Sequence, residues 1–244
     1  TCPKGKLLVV THGVRWAWLG RVGFQPVWDL QEELRRRVQA GDDGAEAVLL
    51  CEHDPVITLG RGANPANVLL SPEALAARGV DLVPTTRGGD VTYHGPGQLV
   101  VYPVVRLRRG LLTTLELVAG VLARLARELG VSAEWRRDPA GVWTERGKLA
   151  ACGVHVSRGV AIHGFALNVS VDLSPAGPFG LIVPCGLTCA RVTSLVAEGA
   201  RALPELSVLA ARVGAGVAAA LGGAAWQDDA LARTLAPGGQ GAWS

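Results

Sequence analysis

The sequence predicts a mixed α/β or α+β domain rather than a doubly wound parallel sheet. Strand-like and helix-like patterns alternate along the chain, and some neighbouring strands are separated by turns short enough for hairpins. The 244 residues are 49% hydrophobic and 18% charged, which is too little charge for a disordered chain and enough apolar sequence for a sizeable core. We therefore expect one domain over residues 1–236 and a Gly- and Pro-containing tail over residues 237–244.

The N-terminal part of the chain alternates short apolar runs with helical periodicity. Proline near the start of a helical pattern and glycine just after its end are typical helix boundaries. The elements predicted from these signals are a strand at residues 7–10, a helix at 26–38, strands at 47–51 and 55–59, and a short helix that begins at 71–73 and is closed by Gly79.

The middle and C-terminal parts predict two longer helices and an apolar strand. Residues 113–116 fit a capping box, which predicts a helix that begins there and ends at Gly130. Its apolar residues recur at helical spacing, which indicates a core-facing stripe. Residues 99–105 read as an apolar strand, and residues 204–221 as an Ala-rich helix stopped by two glycines.

A β-hairpin is predicted in the most strand-rich region, residues 142–171. Residues 154–157 and 160–163 flank an Arg-Gly pair, and such a pair favours a two-residue turn. That turn would pair His163 with Val154 and His155 with Ile162. With strict alternation the two histidines would point to opposite faces of the sheet, and Lys148 would share a face with His163.

Residues 87–98 form the most unusual segment, because four of its twelve residues are glycine. Glycine lets a ligand approach the backbone closely, since no Cβ is in the way. Arg87, Thr92, Tyr93 and His94 supply polar and aromatic groups around that approach. Neither a phosphate-loop pattern nor a dinucleotide-binding pattern is present. The segment is therefore predicted to be a ligand-binding loop that lacks both of these phosphate-binding patterns.

Cys185 is the leading candidate nucleophile. It lies between a proline and a glycine, where a constrained turn would present its side chain to a cavity, whereas Cys189 is a weaker candidate. A cysteine needs a positive neighbour to be a thiolate at neutral pH, and Lys148, His163 and His94 are the candidates. Lys148 stands out, because the other lysines of the chain are at positions 4 and 6.

The cysteine count predicts reduced thiols rather than a disulfide framework or a zinc site. The chain has five cysteines without dense spacing, and an odd number is atypical of disulfide-rich domains. The pair at positions 185 and 189 lacks the second pair that a zinc site requires. We expect no bound metal and no cofactor.

Composition and charge also exclude membrane and nucleic-acid partners. The longest uncharged apolar stretch, residues 213–226, is shorter than the ~20 residues that a spanning helix needs. No signal peptide is visible, and no basic stripe with interleaved aromatic residues accompanies the net charge of +3. We expect a cytoplasmic protein.

Five segments, in a fixed order, carry a resemblance to a known family. They are EHDPVITLG at residues 52–60, RGGDVTYHGPGQ at 87–98, GVW at 141–143 with GKLAACG at 147–153, HGFALN at 163–168 and PCG at 184–186. Together they resemble the motifs of the lipoyl(octanoyl) transferase family over about residues 52–195. Two departures are Cys152, at a place that is usually aliphatic, and residues 175–179, which form a longer stretch than in many relatives.

The resemblance implies a fold shared with biotin and lipoate protein ligases, with a mixed main sheet, a smaller sheet and flanking helices. It implies octanoyl transfer from acyl carrier protein to a lysine of lipoyl domains, which belong to 2-oxoacid dehydrogenases and the glycine cleavage H protein. Cys185 would carry the acyl thioester, Lys148 would be its partner, and the enzyme would be a monomer. The residues implied to bind the acyl substrate are Arg87, Gly88, Gly89, Asp90, Val91, Thr92, Tyr93, His94, Ala151, Cys152, Gly153, Gly164, Phe165 and Ala166, with His163 in support.

Three other functions remain compatible with parts of the sequence. An ATP-dependent ligase of the same fold would not need a cysteine nucleophile. A Cys-His hydrolase would use His163 or His94 as its base, so that loss of Lys148 would be tolerated. A binding module for a fatty ligand would form no covalent adduct.

Overall fold

The computed structural model describes residues 13–183 and 192–235, and their strands form two sheets. The eight-stranded main sheet has the order β11-β1-β2-β6-β10-β9-β8-β7, and the smaller sheet has the order β4-β3-β5. The strands are β1 (Val14–Val22), β2 (Ala47–His53), β3 (Val56–Leu59), β4 (Asp81–Pro84), β5 (Val91–His94), β6 (Gln98–Arg106), β7 (Glu134–Arg137), β8 (Ala140–Trp143), β9 (Lys148–Ser157), β10 (Val160–Asn168) and β11 (Ala225–Gln227).

The main sheet is mixed, as the sequence predicts. Strand β1 is parallel to β2 and to β11, whereas the pairs from β2 through β6, β10, β9 and β8 to β7 are antiparallel. The helix that follows β1 provides the crossover that a parallel pair requires. In the smaller sheet, β3 is parallel to β4 and antiparallel to β5.

Helices cover both faces of the main sheet. They are α1 (Phe24–Gln39), α2 (Pro72–Ala76), α3 (Leu111–Glu128), α4 (Leu206–Gly222) and α5 (Asp229–Arg233). Helices α3 and α4 bury apolar residues against one face, and α1 and α5 do so against the other, so that the sheet lies between two apolar layers. A third apolar cluster fills the space behind the smaller sheet.

Several predicted elements are confirmed, and others lie outside the described residues. The helix predicted at 26–38 is α1, and the strands predicted at 47–51, 55–59 and 99–105 are β2, β3 and β6. The short helix capped by Ser71 is α2, and the helix predicted at 204–221 is α4. The predicted strand at residues 7–10 and the tail at 237–244 lie outside the described residues. None of the described helices combines the length and the apolar character that crossing a bilayer requires.

The predicted capping box of α3 is wrong. The helix begins at Leu111, two residues before the predicted start, with Gly110 at its N-cap. Thr113, the N-cap of the predicted box, therefore lies inside the helix, and the hydroxyl of the next residue, Thr114, donates to the carbonyl of Gly110 at 2.8 Å. The predicted end is correct, since Gly130 follows α3 with a positive φ of 85°.

The hairpin register is confirmed, but the predicted facing of His163 is wrong. His163 pairs with Val154, and Ile162 pairs with His155, as predicted. However, His163 has a left-handed backbone with φ of 59°, which interrupts the alternation. Its ring lies 5.9 Å from that of Trp28 in α1, whereas Val154 packs with the cluster under α3 and α4.

The two histidines therefore lie on the same side of the sheet. The pKa of His155 is influenced by Arg35 and Glu32, which belong to α1, and the charge of His155 in turn lowers the pKa of His163. At the start of β9, the register with β8 shifts at Trp143, and the adjacent residues Leu149 and Ala150 both pack in the cluster under α3 and α4, so the common face of Lys148 and His163 stays a prediction.

Candidate active site

The Gly-rich segment is anchored to the smaller sheet by Arg87. Its Nε and Nη2 donate to the Thr58 hydroxyl at 3.1 and 3.0 Å, and Nη2 also donates to the Thr58 carbonyl at 2.6 Å. Its Nη1 donates to the carbonyl of Gly88 at 3.1 Å. Arg87 is only 7% exposed, so these bonds satisfy a buried charge. The motif arginine therefore holds the loop in place.

Glycines allow this segment to lie directly against its neighbours. A Cβ on Gly60 would lie 2.2 Å from the carbonyl oxygen of Gly89, and a Cβ on Gly153 would lie 3.0 Å from that of Gly88. The N–H of Gly88 donates to the carbonyl of Val154 at 2.9 Å. The loop is thereby joined to β3 on one side and to β9 on the other.

The three segments predicted to bind the acyl group are residues 87–94, 151–153 and 164–166. They meet at the junction where the Gly-rich segment contacts β9. Within the sheet, Ala151 pairs with Ala166, Cys152 with Phe165, and Gly153 with Gly164. Gly164 has no room for a side chain, because a Cβ would lie 2.1 Å from the carbonyl oxygen of Val101. The backbone of small residues therefore lines the junction where β9 and β10 approach the Gly-rich segment.

Some predicted substrate-binding residues also make contacts within the protein. The carboxylate of Asp90 accepts hydrogen bonds from the N–H of Asn64 and the side-chain amide of Asn67. The ring of Tyr93 packs 5.6 Å from that of Phe179 in the third apolar cluster. The same cluster contains Val91, and the cluster under α3 and α4 contains Phe165 and, at its edge, Cys152. Binding roles for these five residues stay predictions.

Lys148 begins β9 and is buried, with 7% of its surface exposed. Its Nζ lies 4.9 Å from the ring centroid of Trp143, close enough for a cation–π contact. Its backbone carbonyl accepts the N–H of Thr193 at 3.0 Å, and a parallel bridge pairs it with Val192. The chain that follows position 191 is thus fixed beside Lys148.

Glu198 joins the turn before Lys148 to the segment beside it. One carboxylate oxygen accepts the Thr193 hydroxyl at 2.6 Å and the Thr144 hydroxyl at 2.9 Å. The Thr144 oxygen in turn accepts the N–H of Gly147 at 3.2 Å. These bonds fix the backbone on two sides of Lys148. No local sequence pattern indicates this arrangement, because its members are separated by up to 54 positions.

Cys185 and Cys189 lie outside the described residues, so the predicted Cys185–Lys148 pair stays a prediction. The two described cysteines, Cys51 and Cys152, are free thiols. Burial raises the pKa of Cys152 to about 12 and that of Cys51 well above its ordinary value. Neither thiol is therefore activated as a nucleophile.

Three buried histidines lie close to the Gly-rich segment. Burial lowers the pKa of His53 to about 4, and burial together with the charge of His53 lowers that of His94 to about 3. Burial and the charge of Arg87 lower the pKa of His163 to about 3. All three are neutral at pH 7. A base whose conjugate acid has so low a pKa is poorly matched to proton abstraction near neutrality.

These pKa shifts link folding to pH. The ordinary histidine pKa is 6.5, so the unfolded chain takes up protons between about pH 6.5 and the lower pKa of the folded state. The folded chain takes up no protons on these three histidines in that range, because they stay neutral. Stability is therefore greatest above the ordinary pKa and falls as the pH is lowered through this window.

The described residues contain no group of three or more His, Cys, Asp and Glu side chains arranged to hold a metal ion.

The polar side chains near the junction of the Gly-rich segment with β9 and β10 are hydrogen-bonded to one another. His53 Nε2 accepts the Tyr102 hydroxyl at 2.9 Å, and Gln98 contacts both His94 and Asn168. Sequence reasoning assigned no role to Tyr102 or Asn168.

Comparison with known families defines the class of the protein. The model of the lipoyl protein ligase A/B catalytic domain matches residues 24–212. The chain belongs to this family. Its fold is that of lipoate-protein ligases: a lipoate-protein ligase A bound with ATP has 18% identity and a TM-score of 0.69 over 91% of this chain and 94% of that one. A bi-partite lipoate protein ligase from Thermoplasma acidophilum gives a TM-score of 0.63 at 18% identity, covering 91% of each chain.

Curated relatives narrow the class to acyl transfer. The octanoyltransferase of Acidobacterium capsulatum is 47% identical over 196 residues, which cover 74% of this chain and 78% of that protein. The octanoyltransferase of Chloroflexus aurantiacus is 45% identical over 205 residues, which cover 80% and 88%. The chain is an acyltransferase of the octanoyltransferase group, as the motif resemblance predicted.

Proposed function

We propose that the enzyme transfers an octanoyl group from acyl carrier protein to a lysine of a lipoyl domain, through a thioester on Cys185 and without ATP. The observation that carries the proposal is the position of Lys148. It is a buried amine, and the strand that contains it pairs with Val192, seven residues after Cys185. A cationic or basic nitrogen near a cysteine favours the thiolate, which is the nucleophile.

In the first half-reaction the Cys185 thiolate attacks the carbonyl carbon of the acyl thioester. Lys148 favours this thiolate, either by its charge or by accepting the thiol proton. The C–S bond to the carrier breaks, and the carrier thiolate takes up a proton. One thioester replaces another, so the step is close to energy-neutral and needs no nucleotide.

In the second half-reaction the amine of the acceptor lysine attacks the acyl-Cys185 carbonyl. That amine has an ordinary pKa of about 10.4 and must lose a proton before it attacks. Lys148 takes the proton as general base, the new amide bond forms, and Cys185 leaves as a thiolate. Amide formation from a thioester is downhill, so the second half-reaction draws the first forward.

The electrostatics of the described residues support Lys148 over a histidine as the basic group. His94 and His163 have a pKa of about 3, which makes them weak bases at neutral pH. Among the cysteines, the raised pKa values of Cys51 and Cys152 leave them as poor competitors for the acyl group. Cys152 is therefore the matched control for Cys185.

Intact-mass measurement after incubation with octanoyl-acyl carrier protein tests the proposal. Wild type and Cys152→Ala should each gain the mass of one octanoyl group in the absence of ATP, and Cys185→Ala should gain none. Lys148→Met should acylate much more slowly than wild type. An adduct that persists in Cys185→Ala, or full activity in Lys148→Met, would contradict the proposal.

A second assay separates transferase from ligase. Purified lipoyl domain is incubated either with octanoyl-acyl carrier protein alone or with free octanoate and ATP. The proposal predicts modification of the lipoyl-domain lysine only in the first mixture. Modification only in the second mixture would show an ATP-dependent ligase and would refute the thioester route.

A further inference from the structure

Gln98 and Asn168 form a buried hydrogen-bond chain between the Gly-rich loop and the segment beside Lys148. The side-chain amide nitrogen of Asn168 donates to the carbonyl of Thr193 at 3.0 Å. The amide oxygen of Asn168 accepts from the amide nitrogen of Gln98 at 2.9 Å. The amide oxygen of Gln98 lies 2.7 Å from Nδ1 of His94. Gln98 and Asn168 are 2% and 3% exposed, so solvent does not compete for these bonds.

The direction of this chain is fixed by two backbone carbonyls. A carbonyl oxygen only accepts, so the Asn168 atom that contacts the carbonyl of Thr193 must be the amide nitrogen. The Gln98 atom facing Asn168 also contacts the carbonyl of Tyr93, at 3.3 Å, and must likewise be a nitrogen. The remaining oxygen of Gln98 therefore accepts, and Nδ1 of His94 must carry a hydrogen to donate to it.

We infer that Gln98 and Asn168 are positioning residues that hold His94 as the neutral Nδ1–H tautomer and couple it to the backbone beside Lys148. In this tautomer Nε2 of His94 has a lone pair and no hydrogen, so it accepts a hydrogen bond and does not donate one. His94 then offers Nε2 as a hydrogen-bond acceptor at a fixed orientation. The low pKa of His94 is consistent with the neutral form.

Asn168 links His94 to the backbone of Lys148 through hydrogen bonds. Its backbone carbonyl accepts the N–H of Leu195 at 3.0 Å, while its side chain holds the carbonyl of Thr193. The N–H of Thr193 donates to the carbonyl of Lys148. A shift of the Asn168 side chain would therefore have two effects at once. It would displace the backbone of Lys148, and His94 would no longer be held in one orientation. The catalytic importance of this coupling rests on the proposed function, whereas the tautomer does not.

Long-range ¹H–¹⁵N spectra of histidine-labelled wild type test the tautomer directly. Signals of His94, assigned by their absence in His94→Asn, should show the Nδ1–H pattern at pH 7. An Nε2–H pattern, or a cation at that pH, would overturn the inference. This measurement needs no variant to be active, so it stays readable even if the thioester route fails.

Two substitutions of Gln98 test the hydrogen-bond chain itself. Gln98→Leu removes the acceptor, so His94 should show a mixture of tautomers, and kcat for octanoyl transfer should fall about tenfold or more. Gln98→Glu keeps an acceptor and adds a charge, so the pKa of His94 should rise in a pH titration of the same spectra. Gln25→Ala removes an exposed amide that donates to Asp29 within α1, and should match wild type in both readouts. An unchanged tautomer or an unchanged kcat in Gln98→Leu would overturn the proposed role of Gln98.

Discussion

Replacing Arg87 with lysine tests how strongly the Gly-rich segment is held to the smaller sheet. Within the described part of the chain the guanidinium donates four hydrogen bonds, three to Thr58 and one to Gly88. Lysine keeps the charge, but its donors radiate from one nitrogen and cannot reproduce the planar fork. We expect two of the four bonds to be lost.

The expected cost follows from the burial of the group. A hydrogen bond to a charged group contributes about 1.5–3 kcal/mol, so the loss of two should lower the free energy of unfolding by about 3 kcal/mol or more. For a chain of this size such a change corresponds to a fall of about 6–12 °C in the unfolding midpoint measured by calorimetry. Arg61→Lys is the control, because Arg61 is an exposed neighbour, and we expect a change within about 0.5 kcal/mol.

A double-mutant cycle with Thr58→Val isolates the interaction. If Arg87 acts through Thr58, the two substitutions should be non-additive, with a coupling free energy of about 1 kcal/mol or more. The reasoning fails if Arg87→Lys is no more destabilising than Arg61→Lys. It also fails if the effects of Arg87→Lys and Thr58→Val simply add.

Three further predictions concern stability and positioning. Between about pH 6 and about pH 4.5, urea unfolding should show stability falling by about 4 kcal/mol per pH unit from the three buried histidines, and His53→Gln should remove about a third of that slope. Thermal unfolding should show Gly120→Ala to be stabilising by about 0.5–1 kcal/mol, since its Cβ has open space in α3, and Gly214→Ala to be destabilising, since its Cβ would lie 2.6 Å from a Trp16 ring atom. Glu198→Ala should lower kcat for octanoyl transfer, whereas Glu198→Gln, which keeps an oxygen acceptor for both threonine hydroxyls, should retain most of it.

For each of these three predictions, one experimental result would contradict the reasoning. A pH slope that is the same in His53→Gln and wild type would mean that this histidine does not titrate as its burial indicates. Equal midpoints for Gly120→Ala and Gly214→Ala would contradict the packing of α4 against β1. Equal kcat values for the two Glu198 variants would show that the hydrogen bonds to the threonines do not position Lys148.

The local rules of the sequence predicted helices α1 to α4 and several of the long strands, but they missed the short elements β4, β5, β7, β11 and α5 and the first described strand. Strand β1 has alternating large apolar residues, including Trp16, and that pattern was available. Arginines and a glycine interrupt it, so its strand character depends on pairing with β2 and on cover from α4. The start of α3 shows the same limit, because the helix begins at Leu111 with Gly110 as its N-cap, and the predicted cap Thr113 lies within its first turn.

The candidate site divides into a part that motifs predict and a part that only tertiary structure reveals. The resemblance of the motifs to a known family implied the three segments that meet at Gly88, Gly153 and Gly164. It could not reveal the left-handed backbone of His163, because strict alternation is the default expectation for a strand. Nor could it reveal the contacts of Glu198, which join positions far apart in the chain.

The late position of α4 in the chain constrains how the nascent protein matures. Trp16 near the N-terminus packs closely against Gly214, and α4 contributes buried residues to the same apolar cluster as β1 and β2. A ribosome-bound chain that has emerged only as far as α3 would therefore present an uncovered apolar sheet face to its surroundings. Completion of this core has to await Gly222, so chaperone contact or premature association should be most sensitive to the stretch of synthesis before that residue emerges.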